Sequence, residues 1–106
     1  MDAVITAEKD GDLCRMKLSG ELCIYSAAEL KDQLLEELGG CRQMEINLSD
    51  IEEIDTSGIQ LLVLLKREAK ASDKVLTLVS HSAATLEVLE LLRLESYFGD
   101  PLILAS

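Results

Sequence analysis

Apolar positions recur along this chain with two different periods, and the changes of period mark its elements. Ala3 to Glu8 alternates weakly and predicts a strand. Lys9-Asp10-Gly11-Asp12 predicts a turn, its Asp-Gly pair suited to a hairpin. From Leu13 to Ser19 the alternation is clear, with Leu13, Arg15 and Lys17 on one face and Cys14, Met16 and Leu18 on the other. One face is expected wet and the other buried, and Gly20 is expected to end the strand. The period then becomes helical. Ser26-Ala27-Ala28-Glu29 has the spacing of a capping box, and Leu30, Leu34, Leu35 and Leu38 share one side of a helix running to Leu38. Gly39-Gly40 closes it.

Met44 to Leu48 predicts a third strand, and Ser49 to Ile54 a loop or strand extension carrying Asp50, Glu52 and Glu53. A second helix starts at Asp55-Thr56-Ser57-Gly58 and runs to about Ala71, followed by a turn at Ser72-Asp73. Val75 to Val79 is nearly continuous in apolar residues and reads as a parallel strand buried on both faces. Ser80 to Ala84 leads into a third helix through Leu92, with Leu86, Leu89 and Arg93 on one stripe. Leu94 to Asp100 is a connection, and Leu102-Ile103-Leu104 a last short strand. The expected order is β-β-α-β-α-β-α-β. That is an α/β fold, a mixed sheet opening with a hairpin and flanked by about three to four α-helices.

The length of 106 residues suits a single domain spanning 1–106. An apolar share of 48% is too high for a disordered acidic tail. Twenty acidic against ten basic residues give a net charge of −10, and there is no Trp, one Phe and two Tyr. Such a chain lacks the basic patches and stacking rings that hold nucleic acid or anionic lipid. The charge is either a solubilising surface or a match for a basic partner. Cys14, Cys23 and Cys41 are odd in number and form no CxxC pair, which argues against a disulfide scaffold or a metal site. Free thiols fit a reducing cytosol. The start, Met1-Asp2-Ala3-Val4, carries no basic n-region, and the longest apolar run, Leu61 to Leu65, is too short to cross a bilayer. A cytoplasmic location without membrane insertion is the expectation.

Enzyme chemistry finds little support. The single histidine, His81, stands between Ser80 and Ser82 before a helix and reads as a surface or capping residue. Nothing in the sequence pairs it with Ser57 or another serine as nucleophile and base. Neither GxxxxGK[ST] nor GxGxxG occurs, so no phosphate-cradling loop or cofactor is implied. Asp50, Glu52, Glu53 and Asp55 suggest Mg²⁺ or an aspartyl-phosphate receiver, but a receiver alternates strand and helix from the start and this chain opens with two strands. A solvated acidic loop is the better reading.

The informative segment is Ile54-Asp55-Thr56-Ser57-Gly58-Ile59-Gln60-Leu61-Leu62, where strand three hands over to helix two. Two readings of Ser57 stand side by side. Ser57-Gly58-Ile59-Gln60 matches a capping box, so Ser57 is an N-cap. Alternatively Ser57 is a phosphoacceptor: helix amides and dipole favour a phosphate there, and its charge of roughly −1.5 to −2 beside Asp55 alters any partner surface. Helix two also carries more apolar residues (Ile59 and Leu61 to Leu65) than one buried stripe needs. The surplus is buried by neighbours or forms a docking patch.

These residues together resemble the STAS domain, the fold of bacterial anti-sigma factor antagonists, over nearly the whole length. The resemblance rests on Asp55-Thr56-Ser57-Gly58 followed by an apolar helix, on Gly20-Glu21-Leu22 with Ser26-Ala27-Ala28-Glu29-Leu30, and on Glu45-Ile46-Asn47-Leu48-Ser49 ahead of the motif. In that family the hydroxyl residue after the Asp-x pair is phosphorylated by a serine kinase that doubles as an anti-sigma factor. The unphosphorylated antagonist binds that kinase and frees the sigma factor. Carried over, the resemblance implies Ser57 as the phosphosite, Asp55 shaping it, Thr56 as its exposed neighbour and Gly58 leaving room at the helix start. Antagonists often carry an acidic residue after the Gly-Glu-apolar triplet. Here Cys23, Ile24 and Tyr25 make that loop apolar, which is similar to STAS proteins of chemotaxis and two-component signalling. The resemblance therefore implies a protein partner contacted through Cys23, Ile24, Tyr25, Asp55, Thr56 and Gly58. That partner is an anti-sigma factor and serine kinase or a component of a histidine kinase system. The same fold also serves as a constitutive adaptor, including in lipid transport, and this alternative needs no phosphate.

Overall fold

In the computed structural model, which describes residues 3–92, the elements are β1 (Val4–Asp10), β2 (Leu13–Leu22), α1 (Ile24–Gly39), β3 (Gln43–Ile54), α2 (Thr56–Ala71), β4 (Val75–Val79) and α3 (Ala83–Leu91). The sheet order is β1-β2-β3-β4. β1 is antiparallel to β2, and β2, β3 and β4 run parallel. This is the expected mixed sheet of an α/β fold. The expectations for Arg93, for Leu94 to Asp100 and for a strand at Leu102 to Leu104 lie outside the described residues.

The opening hairpin closes where Asp10 pairs with Leu13, leaving Gly11 and Asp12 as the turn. Gly11 has φ +60, a left-handed conformation that glycine adopts without strain. Gly20 does not end β2. The strand passes through it at φ +95 and continues to Leu22. Along β2 the buried set is Cys14, Met16, Leu18, Gly20 and Leu22, while Arg15 and Lys17 are exposed.

The register carries that row across the sheet. Cys14 and Met16 lie opposite Met44 and Ile46 of β3, which lie opposite Leu76 and Leu78 of β4. Leu30, Leu34 and Leu38 of α1 and Ile59, Leu62 and Leu65 of α2 close over this row in one buried cluster. Leu35 is half-buried at its margin. The segment expected as a loop or extension, Ser49 to Ile54, is strand throughout. Two register shifts against β2, between Lys17 and Ser19 and between Gly20 and Glu21, add bulges to β3. The bulges turn Leu48, Ile51 and Ile54 inward at three-residue spacing and leave Asp50, Glu52 and Glu53 exposed. The acids therefore line a strand rather than a loop, and Asp50 pairs with Lys17 at 3.1 Å.

Three further expectations are corrected. β4 is buried on one face only. Leu76 and Leu78 are inside, Thr77 and Val79 are half-buried, and Val75 is 58% exposed. Thr77 and Val79 continue the row of Arg15, Lys17, Glu45 and Asn47 on the neighbouring strands, the face of the sheet turned away from the buried cluster. α1 starts at Ile24, ahead of the expected capping box. Cys23 is its N-cap, and the Ser26 hydroxyl accepts from Cys23 N–H at 3.1 Å and donates to Glu21 O at 2.9 Å. Finally, His81 is wholly buried rather than on the surface. The cap of α3 is Ser82, whose Oγ accepts from Thr85 N–H at 3.1 Å, and Ser82 N–H donates to Leu48 O of β3 at 3.2 Å. That bond draws the start of α3 against the sheet, so Thr85 and Leu89 face inward while Leu86 is half-buried.

Candidate functional site

β2 and β3 are parallel neighbours, and their paired last residues, Leu22 and Ile54, end at the same edge of the sheet. Each strand passes through a single residue into a helix, Cys23 into α1 and Asp55 into α2. Two helix N-termini therefore emerge side by side. Asp55 N–H donates to Leu22 O at 3.2 Å, which fixes the height of one turn against the other.

The Asp55 carboxylate joins the two. Its Oδ1 accepts from Ser57 N–H at 2.9 Å and Gly58 N–H at 3.1 Å, the capping pattern of an Asp before a helix. Its Oδ2 accepts from Ile24 N–H of α1 at 3.2 Å. Asp55 is thus the N-cap of α2, and the reading of Ser57 as that cap is overturned. Ser57 occupies the second helical position, where its own N–H is capped and its hydroxyl is not required for the cap.

Ser57 is half-buried at one end of an open groove of about 270 Å³ between α1 and α2. Ile24, Ala27, Ala28 and Lys31 line it from α1, and Ser57, Gln60, Leu61 and Leu64 from α2. Each set repeats i, i+3, i+4, i+7, so each is one helical stripe. The surplus of apolar residues on α2 divides accordingly. Ile59, Leu61, Leu62 and Leu65 are buried, and half-buried Leu64 faces the groove. Beside the groove, Ile24 is 63% and Tyr25 87% exposed. Thr56 is exposed at the first helical position. Gly58 presses against the end of β2, with no room for a side chain.

The structure thus brings Asp55, Ser57, Gly58 and Ile24 into direct contact or adjacency, with Cys23, Tyr25 and Thr56 around them. The sequence reading missed Ala27, Ala28, Lys31 and Gln60 as groove residues. Their signal was present in two stripes of matched spacing starting at Ile24 and Ser57. Among the described residues no group of three or more His, Cys, Asp or Glu side chains is placed to hold a metal ion, and no helix is long and apolar enough to cross a membrane.

A family model described as Mlab, STAS domain, matches residues 5–104. The chain belongs to the STAS-domain family. Solved structures share its fold. An anti-sigma factor antagonist from Mycobacterium paratuberculosis superposes with a TM-score of 0.84 at 18% identity, covering 97% of this chain and 88% of that one. SpoIIAA, an anti-sigma factor antagonist, superposes in its unphosphorylated form with a TM-score of 0.76 at 18% identity, over 93% and 89% of the two chains. The phosphorylated form of SpoIIAA, a Bacillus cell fate determinant, gives 0.71 at 19% identity, over 93% and 92%. These likenesses lie in the fold, and the structural neighbours of this STAS domain include anti-sigma factor antagonists.

Proposed function

We propose that this STAS domain is a regulatory protein-binding module of the anti-sigma factor antagonist kind, and that phosphorylation of Ser57 switches its partner binding. The observation that carries this reading is the division of labour at the start of α2. Asp55 supplies the cap, so the Ser57 hydroxyl stands at the groove with no capping duty. A nucleotide-dependent serine kinase transfers the γ-phosphoryl group of ATP to Ser57 Oγ. The O–P bond forms, the hydroxyl proton leaves to a base of the kinase, and ADP departs. The product places roughly −1.5 to −2 of charge at the end of an apolar groove. Unmodified, the groove and the exposed Ile24 and Tyr25 offer a desolvating contact surface, with Cys23, Asp55 and Thr56 beside its Ser57 end and buried Gly58 setting the backbone beneath them. The partner is a protein in the cytoplasm, an anti-sigma factor and serine kinase or a component of a histidine kinase system. The module acts by binding rather than by turnover.

The test is incubation with the cognate serine kinase and ATP, followed by intact mass. Wild type gains one phosphate and Ser57→Ala gains none. Equal uptake by Ser57→Ala removes Ser57 as the site.

A second reading is a constitutive adaptor without phosphate, in lipid transport or chemotaxis. The apolar Cys23-Ile24-Tyr25 turn favours it. Pull-down discriminates between the two: equal partner capture by wild type and Ser57→Asp supports the adaptor, and a large loss supports the switch.

A further inference from the structure

We propose that Asp55 is a positioning residue that transmits the phosphorylation state of Ser57 to the first turn of α1. The inference rests on the reading of Ser57 as a phosphoacceptor and names how that modification acts. α1 has no acidic residue in its first turn. The negative charge at its start comes from the other helix, through Asp55 Oδ2 on Ile24 N–H at 3.2 Å. The other oxygen of the same carboxylate holds Ser57 N–H and Gly58 N–H. One rigid group therefore serves both helices.

A phosphate on Ser57 Oγ is tethered to the very residue whose N–H Asp55 holds. Amides at a helix N-terminus are the preferred donors for a phosphate, and charge-assisted bonds to it are strong. The phosphate dianion competes for the Ser57 and Gly58 amides and repels the carboxylate that occupies them. When the carboxylate turns away, Oδ2 leaves Ile24 N–H as well. Ser26 and Ala27 keep the inner side of that turn buried, while Ile24 and Tyr25 are mostly exposed, so the change falls on these two outer residues. The switch thus changes the shape of the apolar contact turn as well as the local charge.

The test uses the full chain with phosphoserine installed at position 57 during translation, in wild-type and Asp55→Asn backgrounds. The readout is the Ile24 amide proton, by chemical shift and by exchange with solvent, with the Leu62 and Leu65 amides reporting the global fold. Phosphoserine is expected to move the Ile24 resonance upfield and to raise its exchange about tenfold, with Leu62 and Leu65 unchanged. Asp55→Asn is expected to give part of that change alone and to show no further change with phosphoserine. Asp55→Ser keeps a cap for α2 but is too short to reach Ile24, and it takes the place of Asp55→Asn if that variant does not fold. An Ile24 amide unmoved by phosphoserine, or moved equally in the Asp55 variants, overturns the coupling. No kinase enters this experiment. Failure of a kinase to modify Ser57 therefore counts against the switch, and an unmoved Ile24 amide in a chain that kinases do modify counts against the coupling alone.

Discussion

A Cβ added to Gly58 would lie 2.5 Å from the carbonyl oxygen of Leu22, so the first turn of α2 packs on the end of β2 at a distance only glycine permits. The same atom would also sit 2.8 Å from Ile54 Cγ1 and 2.9 Å from Leu22 Cγ. The nearest obstacle is backbone, held by its bond from Asp55 N–H, and it cannot swing aside. In an ordinary helix interior, Gly→Ala stabilises by roughly 0.5–1 kcal/mol. Here Gly58→Ala is expected to destabilise by about 1–3 kcal/mol, the usual cost of overpacking. Gly39, in the last turn of α1, has nothing within 4 Å of its added Cβ. Gly39→Ala is expected to be neutral or stabilising by up to about 1 kcal/mol. Denaturant midpoints of the two variants check the contrast, and a Gly58→Ala protein as stable as wild type rejects the close approach.

The other end of α1 makes a second prediction. Its last turn contains no basic residue, so the carbonyls there depend on donors from elsewhere. Lys74, just before β4, donates from Nζ to Leu38 O at 2.6 Å, and Lys9 of β1 to Gly40 O at 3.0 Å. Both place positive charge at the negative end of the helix dipole. Lys74 is half-buried and Lys9 exposed, so water replaces Lys9 more readily. Lys74→Met is expected to cost about 1 kcal/mol, and Lys9→Met no more than a few tenths. Thermal unfolding of both variants measures the difference. Equal losses would place the effect in general charge rather than in the cap.

Most of the framework was legible in the sequence, because its period and its burial are both local. Cys14, Met16 and Leu18 alternate and are buried. Leu30, Leu34 and Leu38 repeat helically and are buried. What escaped was decided between distant segments. Ser26 has the spacing of an N-cap, yet its hydroxyl is spent on Glu21 O and Cys23 N–H as the chain leaves β2. Ser57 and Asp55 are overlapping candidates for one cap. The choice falls to Asp55, which also meets Ile24, 31 residues away in sequence. The alternation of β3 breaks after Leu48 because of bulges against β2, and their only trace within β3 is the three-residue spacing of Leu48, Ile51 and Ile54, which fits neither a strand nor a helix period. The single histidine looked like a surface residue by type, but the Ser82 bond to Leu48 O draws its neighbourhood inside.

Alkaline pH gives a third prediction. Burial, reinforced by the neighbouring Cys14 thiol, pushes the Cys41 thiol up from 9.0 to about 11. In the unfolded chain the thiol ionises first. Between these values the folded protein holds a proton that the unfolded chain has released, so folding weakens as pH rises. Well below pH 9 both states are protonated and Cys41 contributes no pH dependence. Wild type is therefore expected to lose up to about 2 kcal/mol more than Cys41→Ala as pH rises through this window. Urea titrations of both proteins at stepped pH make the comparison. Parallel curves would show that the thiol ionises alike in both states.

The last prediction separates surface from scaffold at the site itself. Ile24 and Tyr25 are the most exposed large apolar residues flanking the groove, at 63% and 87%. The folded domain gains little from their side chains, so truncating either is expected to change stability by no more than about 0.5 kcal/mol. A partner that buries them loses far more, since aromatic and large apolar anchors carry much of an interface's energy. Tyr25→Ala, and Ile24→Ala with it, is expected to weaken partner binding by about tenfold or more per residue, while unfolding midpoints stay at wild type. Calorimetric titration of the captured partner against each variant measures the loss. Undiminished affinity in the double variant would move the contact surface away from the start of α1. A parallel fall in stability would show instead that these side chains brace the turn that Asp55 holds.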